Sequence, residues 1–347
     1  MGCGASISVV MATCNGGRFL SEQLRSIANQ VCLPAELIIS DDASTDDTIE
    51  IAEEFLRSAP FPVKIIQNQQ RLGYGNNFIG ATKQATGCYI AYCDQDDIWL
   101  PDKLQSALEA IEESGADLYV HGAILVDAAG TATGVFTQGI RKRSLQKPLS
   151  LPPWGVFYGF SMVFRREIFY LIDADDRGGH TFEWVGSLSH DLWIYFIAAS
   201  IGHVVVDPRP LVMYRRHDRN ETPSLHGNFL RKISKYLGLA AHKNLRRDAI
   251  ALHRSKILMN FFESSNSSRL RINAEKASQY WKAIAHFEAK RIEIYTQNGA
   301  LTRLSLCLKL LWVGGYRSYQ RGGLSWRLFV KDILFGVAKF RRPVVSS

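Results

Sequence analysis

The first 92 residues repeat one pattern, a short apolar run followed by a polar turn and then apolar residues at helical spacing. The apolar runs are 7–13, 37–40, 63–66 and 88–92. Between them, 19–30 places Leu20, Leu24 and Ile27 on one helical face, and 48–58 and 76–86 have the same character. Such alternation predicts strand–helix–strand units, whose crossovers demand a parallel sheet flanked by helices. The pattern continues with a helix over 101–114 and a strand over 117–126. A strand and then a helix follow over 156–172, and an apolar, aromatic helix over 191–200. Two short strands, 203–207 and 211–214, flank Pro208 and Pro210. Residues 127–153 are rich in Gly, Thr and Pro and contain Arg141-Lys142-Arg143, which reads as a mobile loop. Residues 175–189, with Gly178-Gly179, read as a loop over the site.

The runs end in carboxylates. Asp41-Asp42 closes the second, and Asp94-Gln95-Asp96-Asp97 follows the fourth directly. Ligands bind at the carboxyl edge of an open α/β sheet. Three carboxylates within four residues repel one another unless a cation or donors offset them. A hard divalent cation carrying a diphosphate satisfies that need, because Mg²⁺ and Mn²⁺ prefer carboxylate oxygens. Helix capping by Asp97 or Asp102 is the structural alternative. Asp41-Asp42 suits a nucleoside's N–H or hydroxyl groups, or equally an Asx cap before Thr45. Asp191, after His190, opens the apolar helix, where it is either an N-terminal helix carboxylate or a general base. In Tyr214-Arg215-Arg216-His217, the arginines suit phosphate, and His217 suits a metal or a surface role. Arg71-Leu72-Gly73-Tyr74-Gly75-Asn76 is not a dinucleotide fingerprint, and no Walker lysine motif occurs.

Charge divides the chain. Residues 228–347 hold 23 Lys+Arg and 6 Asp+Glu, a net of +17, so 1–227 carry −9 of the overall +8. An acidic body of 1–227 and a helical, basic region of 228–347 are the expected domains. Arg231, Lys232, Lys235, Lys243, Arg246 and Arg247, with later Arg, Lys and Trp among Leu and Phe, suit an anionic membrane surface or a solvated helical face. The six cysteines form no Cys-x-x-Cys pair, so reduced thiols are expected rather than zinc or a disulfide framework. The N-terminus reads as lacking a signal peptide. No stretch approaches the roughly 18 apolar residues of a spanning helix.

Together, Val9-Val10-Met11-Ala12-Thr13-Cys14-Asn15-Gly16, Ser40-Asp41-Asp42-Ala43-Ser44-Thr45-Asp46 and Asp94-Gln95-Asp96-Asp97-Ile98-Trp99 resemble family 2 glycosyltransferases of the GT-A fold. His190-Asp191-x-Trp193 and Tyr214-Arg215-Arg216-His217 extend the resemblance, which covers about residues 5–220. The nearest likeness is to bacterial enzymes that build O-antigen and other surface polysaccharides. The resemblance implies a Rossmann-like, mostly parallel sheet with a C-terminal helical, basic extension. It also implies an inverting transfer from dTDP-rhamnose or a UDP-hexose, dependent on Mn²⁺ or Mg²⁺. In that scheme Ala12, Thr13, Asn15, Asp41, Asp42, Asp94 and Gln95 form the nucleotide-sugar pocket. Asp96, Asp94 and His217 hold the metal, and Asp191 is the general base. Cys14 stands where an aromatic residue is usual, which puts the nucleoside pocket in question. The Gln-x-x-Arg-Trp signature of processive synthases is absent, so a single-sugar transfer is expected. The acceptor would be a lipid-diphosphate-linked glycan, with the enzyme peripheral on the cytoplasmic face of the inner membrane and no nucleic acid involved. A metal-dependent nucleotidyltransferase and an inactive glycan- or membrane-binding module are the competing readings.

Overall fold

The computed structural model describes residues 6–179, 187–218, 247–265 and 268–338. These fall into two compact units. One is drawn from Met1–Pro148, Trp154–Arg177 and Ser187–Ser224, the other from Leu149–Pro153, Gly178–Gly186 and Leu225–Ser347, counting the described residues of each.

The first unit is built on a mixed sheet. Strands β1 (Ile7–Thr13), β2 (Glu36–Asp41), β3 (Val63–Gln67) and β4 (Tyr89–Asp94) run parallel in the order β3-β2-β1-β4. Helices α1 (Gly17–Ala28), α2 (Thr48–Leu56) and α3 (Tyr74–Thr82) make the crossovers between them. Leu20, Leu24 and Ile27 of α1 are fully buried, as their spacing requires. α4 (Lys103–Ser114) ends at Gly115, whose φ of 66° supplies the left-handed cap that stops a helix.

Beyond β4 the sheet turns antiparallel. β9 (Met162–Arg165) pairs antiparallel with both β4 and β6 (Leu118–Val126). Two reversals restore the direction, so β6 runs with β4. β10 (Val204–Arg215) is parallel to β6 and therefore ends at the same edge as β1, β2 and β4. The sheet closes on the two-residue β5 (Ile98–Trp99), antiparallel to β10.

Three expectations change here. The separate strands expected over 203–207 and 211–214 are one strand, bulged between Asp207 and Met213 where the prolines cannot donate to the ladder. The expected loop 127–153 contains β7 (Ala132–Phe136) on β6 and β8 (Ser144–Gln146) on β10. Both are edge additions whose side chains are exposed or half-buried, so no burial pattern announced them. α5 (Arg166–Tyr170) follows β9, and α6 (His190–Ile201) is buried on nearly all sides, as its unbroken apolar sequence demands. Cys14, Cys32, Cys93 and Cys307 are in no disulfide, while Cys88 is disulfide-bonded, unlike the all-reduced expectation.

The second unit is helical. α7 (Arg247–Ser264) packs on α8 (Ser268–Thr296), where Ser255 and Ser278 exchange side-chain hydrogen bonds to each other's backbone carbonyls. α9 (Ala300–Trp312) and α10 (Trp326–Lys331) follow, the latter running into a π-helical turn at Asp332–Val337. Its core joins Ile294, Cys307, Leu310 and Tyr316. Arg291 lies at 0% exposure beside it, forked onto Asp332 and bonded to Glu288. Of the basic residues singled out in the sequence, Arg231, Lys232, Lys235, Lys243 and Arg246 lie outside the described residues. No described helix is long and apolar enough to cross a membrane.

Candidate active site

The carboxyl ends of β1, β2 and β4 lie side by side, with Ala12 opposite Asp94 and Thr13 opposite Asp41. The acidic stretches therefore meet at one sheet edge, where α/β ligands bind.

Asp41 and Asp42 are 2% and 4% exposed, and both carboxylates are engaged within the protein. Asp41 accepts from Thr13 Oγ1 at 2.9 Å and Ser44 N at 2.8 Å. Asp42 accepts from the backbone N–H groups of Leu72 (2.7 Å) and Gly73 (2.8 Å) and from Asn68 Nδ2 (3.2 Å). The pair thereby fixes the loop before α3, where Gly73 has a φ of 80°. Asn15, itself at a φ of 50°, accepts from Thr45 N through Oδ1 at 2.8 Å. Gln95 clamps β1 to the turn after β4: Cys14 N donates to its Oε1 (2.8 Å) and its Nε2 donates to Cys14 O (3.2 Å). A Cβ on Gly16 would sit 2.2 Å from that Oε1, so the clamp needs glycine there.

The turn Asp94–Asp97 is folded back against β10 by the β5 pairing, which brings the end of β10 alongside it. His217 Nε2 and Asp96 Oδ2 stand 2.7 Å apart, although 121 residues separate them. The imidazole packs on Phe19, ring centres 4.9 Å apart. Arg215 is the staple. It is 2% exposed, its N–H donates to Asp97 Oδ1 (3.0 Å), its Nε to Asp96 O (2.9 Å) and its Nη1 to Ala128 O (3.1 Å), and it also pairs with Glu22. Its guanidinium is thus committed to the turn rather than offered to phosphate.

Asp94 sits among like charges. Burial, with Asp96 and Asp191 beside it, raises its carboxyl to about 7. Burial, with Asp96 and Asp94 beside it, pushes fully buried Asp97 well above the carboxylate range. One internal cation opposes them. Lys103, on the first turn of α4, is fully buried, lies 4.1 Å from the Trp99 ring centre, donates to Phe160 O and stands 3.1 Å from His121 Nε2. Burial lowers its ammonium to about 8, against the pull of Cys93, Asp97 and Asp94. In the sequence Lys103 looks like any solvated lysine opening a helix. Only the Trp99 face and the carboxylates in front of it reveal the role.

Asp191 occupies the first turn of α6, where Ser189 Oγ and Leu192 N (2.8 Å) donate to its Oδ1. His190 pins that turn. Its ring stacks on Phe78 at 3.8 Å and meets Tyr92 of β4 edge-on at 4.8 Å. Burial lowers it to about 4, so it is neutral at physiological pH. Asp191 thereby lies near enough to Asp94 to raise it. Arg177, also unmarked in the sequence, holds the approach to α6 by donating to Leu188 O and Ala174 O, both at 2.7 Å.

The residues fit a divalent cation. Asp96 and His217 converge, and the like charges beside Asp94, which Lys103 offsets only in part, favour positive charge. Among the described residues no group of three His, Cys, Asp or Glu side chains that could hold a metal ion is present.

The structure thus sets carboxylates and a His–Asp pair at the carboxyl edge of a mixed α/β sheet. Residues 8–172 match the model for Glycosyl transferase family 2. It is 27% identical over 287 residues to the dTDP-rhamnosyl transferase RfbG of Shigella flexneri, covering 78% of this chain and 93% of that one. It is 35% identical to the abequosyltransferase RfbV of Salmonella typhimurium over 116 residues, 33% of this chain and 34% of that one. Among solved structures, S. aureus TarS 1-349 in complex with UDP-GlcNAc superposes with a TM-score of 0.51 at 18% identity, covering 93% of this chain and 92% of that one, and shows the shared fold.

Proposed function

We propose that the chain transfers one sugar per encounter, with inversion, from a nucleoside-diphosphate sugar to a hydroxyl of a glycan acceptor in bacterial surface polysaccharide synthesis. The observation that carries this reading is the convergence of Asp94, the Asp96–His217 pair and Asp191 at one sheet edge. The names of the rhamnosyl and abequosyl relatives support dTDP-rhamnose or a related hexose as donor. A lipid-diphosphate-linked acceptor on the cytoplasmic face of the inner membrane suits the net +17 of residues 228–347.

Ala12, Thr13, Asn15, Asp41 and Asp42 line the nucleoside end in this scheme, with Gln95 setting the spacing of β1 and β4. Asp96 and His217, with Asp94 beside them, would hold Mn²⁺ or Mg²⁺, which supplies charge stabilisation for the departing diphosphate. Asp191 is the base. Among the described hydrogen bonds its Oδ1 is engaged, and Oδ2 accepts the proton of the acceptor hydroxyl. That oxygen attacks the anomeric carbon as the bond from carbon to the diphosphate oxygen breaks. Neutral His190 keeps a competing positive charge away from the base.

The test is calorimetric titration of dTDP- and UDP-sugars with Mn²⁺, followed by turnover measurement. Asp96→Ala should abolish metal-dependent donor binding. Asp191→Asn should leave binding intact and lower turnover by roughly 10²–10⁴-fold, the usual weight of a general base. Equal loss of binding in both variants would sink this division of roles. Absence of any nucleotide-sugar binding by the folded wild type would sink the function.

A further inference from the structure

α9 has two apolar faces, and its own unit uses only one. Arg303, Cys307 and Leu310, at i, i+4 and i+7, are buried toward Ile294 and Tyr316. Roughly opposite them, Leu301, Leu304, Leu308 and Trp312 form a second stripe at the same spacing. With Ser305 and Lys309 they line a shallow groove of about 440 Å³. Leu301 is 83% exposed and Trp312 88%. Val313 continues the stripe, and Trp326, Val330 and Leu334 of the next helical segment are exposed as well.

The charges of this region have one sign on the outside. Residues 300–338 contain Arg303, Lys309, Arg317, Arg321, Arg327 and Lys331 against a single acid, Asp332. That acid is 0% exposed and neutralised by Arg291, whereas Lys309, Arg317, Arg321 and Arg327 face outward. An exposed surface of leucine, tryptophan, arginine and lysine with no exposed carboxylate complements an anionic lipid bilayer. Its apolar stripe enters the acyl boundary, its tryptophans sit at headgroup depth, and its cations meet lipid phosphate. A protein partner of ordinary composition would not require acids to be excluded from the outer face of 300–338.

We propose that the outer face of α9, with Trp326 and the flanking arginines, is the surface by which this chain docks on an anionic membrane. This rests on the membrane placement proposed above but not on the transfer chemistry.

Flotation of the full chain with phosphatidylcholine vesicles, and with mixed phosphatidylcholine–phosphatidylglycerol vesicles, tests it. The wild type should float with the mixed vesicles and much less with the neutral ones. Leu308→Asp/Trp312→Asp should weaken partitioning at least about tenfold, as expected for losing two buried apolar side chains. Lys309→Glu/Arg327→Glu should weaken it and flatten its salt dependence, while Trp312→Phe should retain it. All variants should bind UDP in solution as the wild type does, which separates this inference from the catalytic one. Failure of the wild type to float overturns the proposal, as does flotation of the double Asp variant at wild-type levels. So does a wild-type dimer that fails to float and that Leu308→Asp/Trp312→Asp splits, since a second copy would then cover the face.

Discussion

At the scale of single residues, the pairing of His217 with Asp96 carries most of the site, and spacing alone did not reveal it. A histidine after an arginine pair is an ordinary surface residue until β5 is seen to fold the acidic turn onto β10. The acidic residues themselves were legible, because clustered carboxylates after an apolar run have few structural uses. Their division of labour was not: Asp97 binds the Arg215 backbone, and Asp41 and Asp42 hold loops, as only the hydrogen bonds disclose. His190 offers a test at this scale. Both of its ring nitrogens lack hydrogen-bond partners among the described residues, and burial holds it at about 4 against 6.5 when exposed. The unfolded chain thus binds more protons between those values, so folding stability is complete above about pH 6.5 and falls as pH drops toward 4. Up to about 3 kcal/mol should be lost over that window. Melting curves across it should show the slope, and His190→Phe should reduce it. An identical slope in the variant would assign the effect elsewhere.

At the scale of elements, the parallel half was legible and the antiparallel half was not. β1 to β4 are buried strands joined by amphipathic helices, which apolar periodicity reports directly. β7 and β8 lie on the sheet by backbone bonds with their side chains largely in water, and such strands leave no hydrophobic signature. In the helical unit, the element that fixes the packing is polar. Arg291 joins α8 to the turn at Asp332, whose carboxylate also accepts from Tyr295 and Tyr316 at 2.8 Å. Removing the cation alone strands two buried acids. Arg291→Met should therefore cost about 3–5 kcal/mol in denaturant unfolding. Replacing Arg291, Glu288 and Asp332 together by apolar residues should recover most of it. A single variant as stable as the wild type would show the network to be solvated.

At the scale of the whole molecule, the chain is divided in net charge, with −9 over 1–227 and +17 over 228–347. That division was plain in the sequence. The face that carries the exposed tryptophans was not, because α9 is apolar on both sides and its sequence does not tell which side is covered. Lys103 also has a bearing on the molecule as a whole. A buried ammonium behind Asp94 and Asp97 is a counter-ion supplied by the fold itself. The acidic edge can then stand empty between turnovers without bursting apart. Chelation with EDTA should abolish nucleotide-sugar binding yet shift the melting temperature by no more than a few degrees. A large drop would mean that the cation is a structural brick. The expected result makes it a passenger, boarding with each donor and leaving with each spent nucleotide.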